Sequence, residues 1–172
     1  MSLITEDGTG KSDAESFCSI ADADTYHANH GNPTAWSGAL TADKETALRQ
    51  GTDYLERQYG RRWVGDRMRW WSQRLAWPRW NVIVDGVWWP PQTLPRQLLE
   101  ATAEAALRYI QDPTSLMPDI AEPGTIASES VEVGPIKTST SYMGGKSQVK
   151  DFRVIRLLMA QITDGSTHAE RS

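Results

Sequence analysis

The chain reads as a mainly α protein, a small bundle of about four helices carrying a β-hairpin and a long, extended strand-like arm. Three observations predict this. Apolar residues recur with the 3.6-residue period in four stretches, flanked by capping residues or by Gly and Pro stops. Asp85-Gly86 lies between β-branched and aromatic residues, a strong short-range hairpin signal. A later stretch of alternating residues is interrupted by Gly134-Pro135, which suits an edge strand or arm.

Residues 1–18 are polar, with little periodicity, and read as an extended arm rather than a core element. Ser19 is a candidate N-cap for a first helix over 20–30, with Asp22 three residues on. Its apolar face is Ile20, Ala23 and Tyr26/His27, and Gly31 with Asn32-Pro33 stops it. A second helix starts at Thr41, with Asp43 and Glu45 in the first turn. Ala47, Leu48, Tyr54, Leu55 and Tyr59 line it, together with the small Gly51 and Thr52, and Gly60 ends it. Residues 61–80 have poor periodicity, and Pro78 biases Trp77 away from helix. The hairpin falls near 82–89, and Pro90-Pro91 terminates it.

Pro95 suits the first turn of a third helix. Its buried face is Leu98, Leu99, Thr102, Ala105, Ala106, Tyr109 and Ile110, and Asp112-Pro113 breaks it. Residues 113–128 read as a loop. Val131, Val133, Ile136, Thr138, Thr140 and Tyr142 predict one extended strand with a bulge at Gly134-Pro135. A turn or hinge at 143–146 leads to a last helix over 149–163, with Phe152, Ile155, Leu158, Met159 and Ile162 on one face. Asp164-Gly165 ends it, and 166–172 form a polar tail. Residues 1–172 are thus expected to form one domain. It comprises an arm (1–18), a helical body (19–112), a loop and strand arm (113–148), and a terminal helix with tail (149–172).

Composition narrows the function classes. With 172 residues, 39% apolar side chains and a formal charge of −4, the chain can bury a core without staples. No run approaches the ~18 consecutive apolar residues of a membrane span. The N-terminus has neither a basic start nor an apolar stretch, so no secretory signal is expected. The single Cys18 excludes an internal disulfide and a multi-cysteine zinc site, and points to a reducing cytoplasm.

No enzyme signal emerges. Gly8-Thr9-Gly10-Lys11-Ser12 resembles the end of a phosphate loop, but Thr5 stands where the motif needs its first Gly, and a polar arm is the better reading. His27 and His30 are spaced like two metal ligands, yet no third ligand accompanies them and two surface histidines are expected. Cys18 has no base beside it in sequence and reads as a small, semi-buried residue. No serine nucleophile motif or catalytic acid pair is recognisable, and neither cofactor nor metal is called for.

The pointed feature is tryptophan. Five of the eight lie within 57–80, beside seven Arg and one acid. That window carries +6, so the rest of the chain carries −10. Such a segment serves a protein interface, a core with snorkelling arginines, or unpaired bases stacked on Trp with phosphates on Arg. Composition ranks the first two alike, ahead of nucleic acid. In the core reading, Trp63, Trp77 and Trp80 fill the interior.

Several segments, in order and spacing, carry a family resemblance. They are Glu6-Asp7-Gly8-Thr9-Gly10, Ser19-Ile20-Ala21-Asp22-Ala23-Asp24-Thr25-Tyr26-His27, Asp43-Lys44-Glu45-Thr46-Ala47-Leu48 and Thr52-Asp53-Tyr54-Leu55. Then follow Gln73-Arg74-Leu75-Ala76-Trp77-Pro78-Arg79, the most specific, Leu94-Pro95, 101–107, and Val131-Glu132-Val133-Gly134-Pro135-Ile136. The chain resembles a bacteriophage family often described as DnaT-like single-stranded DNA-binding proteins, which is itself similar to head–tail connector (adaptor) proteins of tailed phages. It departs from the usual pattern in Trp70, Trp71, Trp88 and Trp89.

The connector likeness implies a non-enzymatic virion protein at the head–tail junction, assembled in the host cytoplasm. It implies a homo-oligomeric ring, usually of twelve subunits, beneath the portal protein. The ring would extend the channel for packaged DNA, without sequence-specific binding, and dock the next tail component. On that expectation Arg61, Trp63, Arg67, Trp70, Trp71, Trp88 and Trp89 make subunit or tail contacts, and Phe152, Arg153, Arg156, His168 and Arg171 meet the portal. The DnaT likeness implies instead binding of single-stranded DNA through the Arg/Trp segment 57–80.

Overall fold

The computed structural model describes residues 2–84, 87–116, 126–132, 137–142, 152–160 and 162–163. The helices are α1 (Ile20–Asn29), α2 (Thr34–Ser37), α3 (Thr41–Tyr59), α4 (Arg96–Gln111) and α5 (Arg153–Met159). Three antiparallel strand pairs accompany them: β1 (Asp66–Arg67) with β2 (Arg79–Trp80), β3 (Ile83–Val84) with β4 (Val87–Trp88), and β5 (Ile126–Glu132) with β6 (Lys137–Tyr142). The protein is mainly helical with hairpins, as its periodicity predicts.

Local chemistry sets the helix boundaries. The Ser19 hydroxyl accepts from the Asp22 backbone N–H at 3.1 Å and donates to the Asp22 carboxylate at 2.6 Å, which opens α1. At its end the His30 and Asn32 N–H groups return to the His27 carbonyl. The cap of α3 is Leu40, without a side-chain bond, and Thr41 is its first helical residue. Pro95 caps α4, where its missing N–H costs nothing. The four-residue α2 is too short to leave a periodic signal. It places Trp36 in the core, its indole N–H donating to Asp24 at 2.8 Å.

α4 is the central helix. Ala101, Ala103, Ala105 and Ala106 are fully buried together with Leu98 and Thr102, so neighbours approach on several sides. α3 comes closest. A Cβ at Gly51 would stand 3.0 Å from the Ala106 nitrogen and 3.0 Å from the Thr102 carbonyl oxygen, so only Gly fits without displacing backbone. One half of the core lies where α3, α4 and α5 meet Trp63, Trp77 and Val82. The other lies under α1 and α2, around Cys18, Trp36, Leu48 and Leu107.

Three expectations need correction. Residues 2–18 are not a free arm, because Ala14, Phe17 and Cys18 are buried and the Thr5–Ser16 bridge closes the segment on itself. The strand expected over 131–142 is a hairpin, with Val131 opposite Thr138 and Glu132 opposite Lys137. The bulge expected at Gly134-Pro135 lies outside the described residues. The last helix is Arg153–Met159, shorter than the expected 149–163, and beyond it Thr163 bridges to Trp63. The Asp85-Gly86 turn, Val133 and Ile136, the turn at 143–146, the start of the last helix at 149–151, and the end at 164–172 with its tail lie outside the described residues, as does most of the 113–128 loop. Among the described residues no helix is long and apolar enough to cross a membrane.

Candidate nucleic-acid interface

The Arg/Trp segment divides into two layers. Trp63 and Trp77 are interior, stacked edge to face at 6.3 Å, with Phe17 and Tyr59 also against Trp63. Trp63, expected at an interface, therefore supplies packing. Trp80, expected in the core, is 46% exposed and donates its indole N–H to the Met68 carbonyl at 3.3 Å. Its place on β2 opposite Asp66 explains this, because β1–β2 is a two-stranded pair with an open face. Trp70 and Trp71 are 74% and 90% exposed on a tight turn, and Trp88 is 66% exposed on β4. Trp89 is half-buried against the core and donates to the Thr93 carbonyl at 2.8 Å.

The Gln73–Arg79 stretch frames that turn. The buried Gln73 side chain accepts from the Arg69 N–H at 3.0 Å and donates to the Leu75 and Pro78 carbonyls at 2.7 and 3.0 Å. The Trp77–Pro78 peptide is cis. Arg79 points inward and donates to the carbonyls of Val64 at 2.6 Å, Ala76 at 3.2 Å, and Gly65. Burial lowers its pKa from the ordinary value, and three carbonyl acceptors hold the cation there. Glu56 accepts the Ala76 N–H at 2.7 Å, and burial raises its carboxyl above the ordinary range. The segment is thus a rigid frame, and what it presents outward is indole.

Arg61, Arg62, Arg69 and Arg74 are exposed around this frame. Arg67 lies 3.9 Å from Glu56, and Arg62 lies over the Tyr59 ring. The second set of expected residues divides differently. Phe152 packs edge-on against Tyr54 at 6.0 Å, Arg153 and Arg156 are exposed, and His168 and Arg171 lie outside the described residues.

The glycine-rich loop acquires a defined shape. The buried Glu6 carboxylate accepts the backbone N–H groups of Gly8, Gly10 and Lys11, each at 2.9 Å. Such a nest of amides holds anions in phosphate loops, and here the chain's own carboxylate fills it. Lys11 in turn pairs with Asp7 at 3.0 Å, and the hydrogen bond from Thr9, with Lys11 beside it, lowers the Asp7 carboxyl to about 2. The loop touches the tryptophan turn, since the Arg74 N–H donates to the Lys11 carbonyl at 3.1 Å.

Only one of the two histidines expected at the surface is found there. His27 is buried, its Nε2 lies 3.2 Å from the Ala103 carbonyl, and its ring packs on Trp36. His30 is exposed, with its Nδ1 2.7 Å from the Tyr26 carbonyl. Among the described residues no cluster of three His, Cys, Asp or Glu side chains is placed to hold a metal ion. Cys18 is fully buried rather than semi-buried, which raises its thiol pKa far above the usual range.

Sequence reading held Arg69 only as one of the arginines flanking Trp70 and Trp71 and did not mark Ser72; both matter because the fold sets them against the Gly8–Ser12 loop. Each half was visible in the sequence, but their adjacency was not. The family model described as "Putative DnaT-like ssDNA binding protein" matches residues 1–172. No curated protein and no solved structure matches the chain.

Proposed function

From the premise that this chain belongs to that DnaT-like family, we propose that it binds single-stranded DNA by stacking unpaired bases on Trp70 and Trp71. The observation that carries this reading is their exposure, 74% and 90%, on a turn held from beneath by Gln73. Leaving two indoles in water is unfavourable unless something covers them. Bases are suited to the task, because every base has a π-face and stacking tolerates sequence. Exposed Arg61, Arg69 and Arg74 in the same segment supply phosphate contacts. The role is non-enzymatic.

Titration with oligo-dT, followed by intrinsic Trp fluorescence, tests this. Quenching is expected, with affinity falling about tenfold for Trp71→Ala, in line with ~1–3 kcal/mol per stacked base. A wild-type protein whose fluorescence and mobility ignore oligo-dT would overturn the reading.

A head–tail adaptor is the second reading, favoured by one observation. Ile83, Val87 and Trp88 are exposed on the paired β3 and β4 strands, an apolar surface more suited to protein than to phosphate. On this reading the chain forms a ring on a portal protein, with Arg153 and Arg156 of α5 on the portal side. Mixing with portal rings then gives a saturating mass increase, without an oligo-dT response.

A further inference from the structure

Beside the exposed indoles lies a polar cleft of about 290 Å³, lined by Thr9, Lys11, Ser12, Asp13, Arg69 and Ser72. One wall is the Gly8–Ser12 loop, and the other is the turn carrying Trp70 and Trp71. The two walls fit closely because Gly10 has φ +75°, and a Cβ there would stand 3.3 Å from Arg69 Cδ. The Arg69 stem therefore lies against glycine backbone, while Gln73 fixes its main chain.

The guanidinium is uncommitted. Among the described residues Arg69 makes no side-chain hydrogen bond or ion pair, whereas Arg49, Arg96 and Arg108 are paired with carboxylates and Arg79 with carbonyls. Lys11 is partly spent on Asp7 and on the Thr5 carbonyl at 2.9 Å. The nest amides are spent on Glu6. What the cleft still offers an incoming group is one guanidinium fork and the hydroxyls of Ser12 and Ser72, because the Thr9 hydroxyl donates to Asp7 at 2.7 Å. The Asp13 carboxylate at its edge disfavours a doubly charged anion more than a singly charged one.

We propose that this cleft holds one backbone phosphodiester of the bound strand, on Arg69 and the flanking hydroxyls, in register with bases on Trp70 and Trp71. A diester carries a single charge and two free oxygens, matching one bidentate guanidinium donor. This site rests on the single-stranded DNA reading and makes it more specific. The phosphate contact fixes where the strand enters, and the indoles accept whatever bases follow.

The test uses the full chain, oligo-dT about sixteen nucleotides long, and an abasic strand of equal length. Arg69→Gln is expected to weaken both ligands about tenfold and to lower the salt slope by about 0.7, the loss of one phosphate contact on a single strand. Trp71→Ala is expected to weaken oligo-dT and leave the abasic strand unchanged. Ser72→Asp, which adds charge at an exposed position without removing packing, is expected to reproduce the Arg69→Gln loss on both strands. Equal affinity and slope for wild type and Arg69→Gln, with oligo-dT still bound, would overturn the cleft while leaving the stacking reading intact. No binding of either strand by the wild type would overturn the stacking reading, and the cleft with it.

Discussion

At the scale of single residues, chemistry type and role separate according to burial. Seven arginines and five tryptophans in one segment invite one explanation, yet Arg79 and Trp77 are interior while Arg69 and Trp71 are outside. Arg79 binds the chain's own carbonyls and is unavailable to a ligand. His27 is the residue whose protonation the fold resists. Burial depresses its pKa, against the opposing pull of the Ala103 carbonyl and the Glu104 and Asp24 carboxylates, with His30 adding to the depression. The unfolded chain therefore binds a proton that the native state refuses. The stability contributed by neutral His27 is complete above the ordinary histidine value and is lost as pH falls through it. Tm should drop between about pH 7.5 and 5.5, and His27→Gln should flatten that dependence. Parallel thermal melts of the two proteins check it. An unchanged slope in the variant would assign the pH response to other groups.

At the scale of elements, α1, α3 and α4 follow their sequence signals, whereas α2, the extent of α5 and most of the β pairs do not. Ser19, Gly60 and Pro95 bound helices because capping is local. The β3–β4 hairpin was legible for the same reason, since two strands around Asp85-Gly86 need no third party. The β1–β2 pair joins residues 66–67 to 79–80 around the tryptophan turn, and nothing in a two-residue strand announces its partner. Packing between α3 and α4 sets a sharper condition at Gly51. Gly51→Val should cost roughly 2 kcal/mol in urea denaturation, because overpacking outweighs the gain in helix propensity. A variant as stable as wild type would mean that the two helices separate freely.

At the scale of the whole molecule, a mild charge conceals an uneven distribution. The formal charge is −4 and the pI about 5.4, which on their own argue against binding an anion. The local field decides, because at ordinary salt charges beyond about 10 Å are screened. With Arg61, Arg69 and Arg74 as phosphate contacts, the salt slope should be about −2, so a fourfold rise in salt weakens oligo-dT binding about twentyfold. Anisotropy titrations across a salt series measure it. A flat response would leave the exposed indoles as a protein-binding surface and favour the adaptor reading.

The sequence by itself determined the signals of α1, α3 and α4, the β3–β4 hairpin, and the Arg/Trp segment as the place of interest. Each depends on neighbours within a few positions, where capping, turn chemistry and periodicity act. The tertiary structure decided which tryptophans are core and which are exposed, that the Gly8–Ser12 loop encloses its own Glu6, and that this loop meets Arg69. Those outcomes depend on close approach between residues some sixty positions apart, as between Gly10 and Arg69, and local propensity carries no record of it.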